Sequence, residues 1–326
     1  MRILIIGAAG MVGRKLTERL VKDGALGGTQ ISHLHLVDIV APDRPGSASF
    51  PIEMEPADLS QPTAAGHLVA PKPDVIFHLA AIVSGEAEAE FEKGYRINLD
   101  GTRYLLEAIR RTGGDEYRPR LVFTSSIAVF GSPFPDAIGD DFLSAPLTSY
   151  GTQKAIGELL LADYTRKGFV DGIGIRLPTI CVRPGKPNKA ASGFFSNIIR
   201  EPLAGQEAVL PVSEDVRHWH ASPRAAVGFL LHAATIAGET VGPRRTLSMP
   251  GLSVTVGEQI AALRSIAGEK AVKLIRREED PVIARIVAGW PRNFDTKRAL
   301  ALGFKAESSF EEIVRIHIED ELGGAI

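Results

Sequence analysis

The chain has 326 residues, room for one large α/β domain and a smaller appended region. Its 23% charged and 44% hydrophobic residues balance to a formal net charge of -2, so neither a nucleic-acid footprint nor a polybasic membrane patch is expected. The single cysteine, Cys181, excludes an intrachain disulfide and a Cys-rich zinc site and fits a reducing cytoplasm.

Residues 2–6 (RILII) read as a short strand bounded by glycine, and 14–23 as a helix with Leu16, Leu20 and Val21 on one face. The apolar start is too short for a signal peptide, and with no apolar run of about 18 residues no transmembrane helix is expected. A second strand is expected at 33–38, a surface loop at 41–51, a strand at 74–81, a helix at 95–111 and a strand at 120–126. A long helix at 150–168 and a β-branched run at 172–182 follow. Strands alternating with helices predict an α/β fold with a Rossmann-type, doubly wound parallel sheet. The expected division is a Rossmann-type domain at 1–182, and at 183–326 a smaller C-terminal substrate-binding lobe, some of whose segments return to the first domain. The lobe opens on a Pro/Gly/Lys-rich loop, 183–195.

Gly7, Gly10 and Gly13 form GxxGxxG between the first strand and the first helix. Glycine there permits a tight turn and lets backbone N–H groups approach a pyrophosphate, which a helix N-terminus favours. Asp38 ends the second strand, where a carboxylate accepts hydrogen bonds from ribose hydroxyls and repels a 2′-phosphate. NAD is therefore expected over NADP, with Arg44 the one nearby cation that opposes this preference. Asp58 stands where an acid contacts an adenine amino group.

Tyr150 and Lys154 are i and i+4 on the long helix and share a face. A free phenol ionises near pH 10; bringing it near neutrality takes about 4 kcal/mol, which a lysine ammonium and an oxidised nicotinamide together supply. Ser125 and Ser126 end the strand at 120–126, at the carboxyl edge of the sheet, where a hydroxyl meets the charge developing on a substrate oxygen. Arg183 and Arg217 are the two candidates to grip a substrate carboxylate by a bidentate pair. His218 and His220, in HWH, share a face of an extended segment but lack a third ligand, so they read as pocket wall and no metal is expected.

GAAGMVG, HLAA (78–81), NLDGT (98–102), FTSSIAVFG (123–131), SYGTQK (149–154) and RLPT (176–179) together resemble the extended short-chain dehydrogenase/reductase family over nearly the whole chain. The resemblance implies that Ser126, Tyr150 and Lys154 are catalytic and that Asn98 orders the active-site water. It implies that Met11, Val12, Leu59, Leu79, Ala80, Ala81 and Pro178 line the cofactor beside the residues above, with Asn98, Tyr150 and Lys154 also touching it. Ser84, Ser125, Ser126, Tyr150 and Thr179, with Arg183 and Arg217, are implied on the substrate side. The family's usual tyrosine after the serine pair is Phe130 here. Members commonly dimerise through the helices here at 95–111 and 150–168. Most act on nucleotide-diphosphate sugars; the wording of 176–192, 200–207, 211–223, 248–256 and 290–304 instead resembles members that oxidise the 2-hydroxyl of a four-carbon sugar acid. The alternatives are a nucleotide-sugar epimerase or dehydratase and a non-catalytic NAD-binding regulator; the latter would not need Ser126, Tyr150 and Lys154 in register.

Overall fold

Apolar runs flanked by turn residues build the central sheet. In the computed structural model, which describes residues 1–325 except 115 and 186–190, these are β1 (Arg2–Ile6), β2 (His33–Asp38), β3 (Ile52–Pro56), β4 (Val75–His78), β5 (Arg120–Ser126) and β6 (Asp171–Leu177). Later strands are β7 (Thr179–Ile180), β8 (Ala208–Leu210), β9 (Arg217–Ala221), β10 (Thr246–Ser248), β11 (Leu252–Thr255) and β12 (Ile275–Arg277). The central sheet has seven strands in the order β10-β6-β5-β4-β1-β2-β3, every neighbouring pair parallel. Strand order reverses between β1 and β4, and a crevice forms beyond the carboxyl ends of the strands at such a switch point.

Both faces are covered, as a buried parallel sheet requires. Leu16 and Leu20 of α1 (Met11–Asp23) and Phe229 and Leu230 of α6 (Pro223–Thr235) pack on one face, against Ile3, Ile5, Leu34 and Ile173. The other face takes Leu68 of α2 (Ala64–Val69), Leu105 and Ile109 of α3 (Gly101–Gly113) and Leu161 of α4 (Ser149–Arg166), against Leu4, Ile6, Ile76 and Phe123. A second apolar core joins α5 (Gly193–Leu203), α7 (Val256–Val272) and α8 (Phe310–Glu321) with β8 and β12. Beside it, β9 pairs in parallel with β7 and antiparallel with β11.

Several elements differ from the sequence reading. β3 was not anticipated: its run IEMEP carries exposed or half-buried side chains because it forms the sheet edge. The 95–111 helix begins with a π-helical turn, Tyr95–Asp100, before α3. The 172–182 run divides at buried Pro178, β6 staying in the central sheet and β7 crossing to the lobe sheet. Part of the 183–195 loop, 186–190, lies outside the described residues, and α5 already starts at Gly193.

Candidate active site

The turn after β1 is shaped by what glycine leaves out. Gly7 has φ +97, and a Cβ there would lie 2.5 Å from Ala80 N; a Cβ on Gly13 would lie 2.1 Å from Gly7 O. Neither position tolerates a side chain. A Cβ on Gly10 would meet only Gly7 O, at 3.4 Å, so that residue faces open space. Gly10 also caps α1 without a side-chain hydrogen bond, and the first turn of α1 holds no acid. The orphan N–H groups there, including those of Met11 and Val12, suit an anion. The Asp38 carboxylate accepts from Ala9 N at 2.9 Å and Ile39 N at 2.7 Å, which fixes it against the turn. Leu79 and Ala80 donate to Ile6 O, half-buried Ala81 follows, and Leu59 backs Gly101. Asp58 is held below its usual carboxylate range by hydrogen bonds from Ser60 and Gln61 that outweigh its partial burial. Arg44 lines a cavity of about 410 Å³ together with Ala8 and Met11 of the turn, Arg14 and Asp43. An open, uncapped helix N-terminus beside a fixed carboxylate fits a dinucleotide's pyrophosphate and ribose.

The serine, tyrosine and lysine converge past the end of β5. Thr148 caps α4 by accepting from Gly151 N, which starts the helix just before Tyr150. Ser126 lies near enough to favour the phenolate, and its Oγ accepts from Ala128 N at 3.1 Å. Lys154, 2% exposed, donates its Nζ to Thr124 O at 2.8 Å and lies 5.9 Å from the Tyr150 ring centre. Burial lowers the lysine to about 8, partly offset by Glu158. Burial pushes the phenol up, opposed by Ser126 and the charge of Arg183. The sequence predicts that Lys154 favours the phenolate; in the structure burial prevails, and the cation whose charge acts on the phenol is Arg183.

Asn98 stands in the π-helical turn, 2% exposed. Its Oδ1 accepts from Ile82 N at 2.9 Å, and its Nδ2 donates to Ile82 O at 3.1 Å and to Gln153 Oε1 at 2.8 Å. It therefore clamps the strand-end segment that leads to half-buried Ser84. Gln153, fully buried, was not singled out from sequence; its place next to Lys154 was the available signal.

Ser125 is drawn out of the substrate site: its hydroxyl donates to Glu158 Oε1 at 2.5 Å, within a buried pair that Glu158 makes with Arg176. The Arg176 guanidinium in turn lies 4.7 Å over the Phe130 ring. The two candidate arginines also separate. Arg183 Nε donates to Ile180 O at 3.0 Å and its terminal nitrogen to Ser192 Oγ at 3.2 Å, holding it beside Tyr150. Arg217 donates to Ser253 O at 2.6 Å and pairs with Glu258 at 3.3 Å; on β9 it shares a face with Trp219, opposite His218. His218 Nε2 is 2.7 Å from Thr179 Oγ1, and its ring stacks on Phe195 at 5.2 Å. His220 Nε2 is 2.9 Å from Gln259 Nε2. Both histidines are buried wall, and Trp219 points away from them, donating to Met249 O.

The profile of the NAD dependent epimerase/dehydratase family matches residues 3–235. The chain is 46% identical over 324 residues to the D-erythronate dehydrogenase of Cupriavidus necator, covering 98% of both chains. It is 42% identical over 322 residues to the D-erythronate dehydrogenase of Haemophilus influenzae, covering 99% of this chain and 100% of the relative. Among solved structures, one described as the nucleoside-diphosphate-sugar epimerase from Agrobacterium tumefaciens is 69% identical with a TM-score of 0.98, covering 100% of this chain and 95% of that one. A GalE-like L-threonine dehydrogenase from Cupriavidus necator, 23% identical with a TM-score of 0.82 over 98% of this chain and 99% of its own, shares the fold.

Proposed function

Since the chain belongs to the NAD dependent epimerase/dehydratase family, we propose that it oxidises the 2-hydroxyl of D-erythronate to the 2-oxo acid. The full-length likeness to two D-erythronate dehydrogenases supports this substrate. That likeness, over nearly the whole of both chains, is the observation that carries the reading, and Arg183, whose charge favours the Tyr150 phenolate, is the cation assigned to the substrate carboxylate. In a 2-hydroxy acid the carboxylate is bonded to the carbon being oxidised, so its cation must stand beside the acid/base. The phosphates of a nucleotide sugar lie much farther from the reacting carbon.

Ser126 Oγ holds the substrate oxygen, and Tyr150 takes the hydroxyl proton at its phenolate oxygen. Lys154, pinned by Thr124 O, keeps positive charge behind the phenol, and Asn98 and Gln153 hold that wall rigid. NAD at the glycine turn supplies the hydride acceptor. We assign its adenosine half to Gly7, Gly10, Gly13, Asp38 and Asp58, and the nicotinamide side to Ala80, Ala81 and Pro178. Thr179 and Ser84 border the substrate, and Arg183 grips its carboxylate. We also infer a cytoplasmic homodimer joined through α3 and α4; Leu159 of α4 is 71% exposed.

With NAD and D-erythronate the protein should release NADH and 2-oxo acid in equal amounts. A second reading, nucleotide-sugar epimerisation, draws on the Agrobacterium structure. Inert erythronate together with conversion of a UDP-sugar without net NADH would establish that reading instead.

A further inference from the structure

The β3 edge of the central sheet carries a cluster that includes none of the residues assigned to the nucleotide or substrate. β2 and β3 run in parallel with His35 opposite Glu53 and Val37 opposite Glu55. Side chains alternate along a strand, so His33 and His35 share one face of β2 and Glu53 and Glu55 the same face of β3. It is the face that α2 covers, and His67 of α2 reaches Glu55 Oε2 at 3.3 Å. His33 Nε2 lies 3.5 Å from Glu53 Oε2, and His35 Nε2 lies 3.6 Å from Glu55 Oε1.

Charged residues on an edge strand are ordinary protection against edge-to-edge pairing. A buried imidazole facing them is not. The His35 side chain is 9% exposed, and neither its Nε2 nor Glu55 Oε1 has a hydrogen-bond partner. Two unpaired buried polar atoms facing each other are costly, and one cation between them satisfies both. Among the described residues, His35, Glu53 and Glu55 form the one group whose ligand atoms, one from each, all lie within 4.8 Å of one another.

We propose that His35, Glu53 and Glu55 bind a divalent cation of the zinc class, with the fourth position open to water and His33 and His67 on the rim. Bonds of about 2.1 Å in a tetrahedron set neighbouring ligand atoms about 3.4 Å apart, close to the 3.6 Å already present between His35 and Glu55. The imidazole among the ligands favours zinc, cobalt or nickel over calcium or magnesium.

The test uses the intact chain stripped with chelator and titrated with zinc chloride by calorimetry, with the melting temperature followed in parallel. One equivalent should bind with micromolar or tighter affinity and raise the melting temperature, and anomalous scattering at the zinc edge should place the ion against His35. Glu53→Gln and Glu55→Gln, at exposed and half-buried positions, should leave the metal-free melting temperature near wild type and weaken zinc by at least about tenfold. Absent or millimolar binding, or equally tight binding by both variants, overturns the proposal.

Discussion

Tyr150 sits between opposing influences: burial pushes its phenol up while Ser126 and Arg183 pull it down. If it is the acid/base, Tyr150→Phe should retain NAD binding and the fold but cut kcat at least about 100-fold. Steady-state kinetics beside a nucleotide titration would check this; near-normal turnover would reject Tyr150. The two arginines make a paired test. Arg183→Ala should raise KM for erythronate and lower kcat, because the grip also sets the attack geometry, whereas Arg217→Ala should leave both nearly unchanged. The reverse pattern would move the carboxylate site to β9. The grouping of Tyr150, Lys154 and Ser126 is legible in the sequence because helix spacing and a strand end are local signals. The choice between Arg183 and Arg217 was not, since it depends on Ile180, Ser192, Ser253 and Glu258 brought in by the fold. The family resemblance picks out Ser126 as the catalytic serine, but the contact with Glu158 that occupies the Ser125 hydroxyl depends on the fold.

At the scale of an element, the β1 turn and α1 separate folding from binding. Gly13→Ala drives a methyl into Gly7 O and should both destabilise the chain and abolish NAD binding. Gly10→Ala, where the added carbon meets one atom at 3.4 Å, should melt within a few degrees of wild type yet bind NAD at least about tenfold more weakly, because the methyl occupies the approach to the helix N-terminus. Calorimetric titration and thermal melts of both variants would show it, and tight NAD binding by Gly10→Ala would remove the pyrophosphate from this turn. Elements with strong periodicity and glycine boundaries were readable in advance. β3 was not, because an edge strand with exposed glutamates lacks a buried face's pattern. Nor was the division at Pro178, since apolar sequence does not say which of two sheets a strand joins.

For the whole molecule, buried histidines set the acid limit. Burial holds His78 at about 3 and His218 and His317 at about 4, and keeps His220 well below its ordinary value. The unfolded chain takes up these protons near pH 6.5 and the folded chain only at lower pH. Stability should therefore fall as pH drops below about 6.5, each such group adding a slope of up to about 1.4 kcal/mol per pH unit until its folded-state pKa is reached. Melting temperatures from pH 7.5 to 4.5 test this, and a flat profile would contradict the burial of these rings. The architecture also limits how this protein can be dissected or recombined. α6 and β10 come from the C-terminal half, yet α6 covers the central sheet and β10 completes it beside β6. A fragment cut at residue 182 would expose β6 as a bare, apolar edge prone to aggregation. Grafting a new specificity from a relative should succeed only when 223–248 stays with the recipient scaffold and the exchange is confined to the flanking segments.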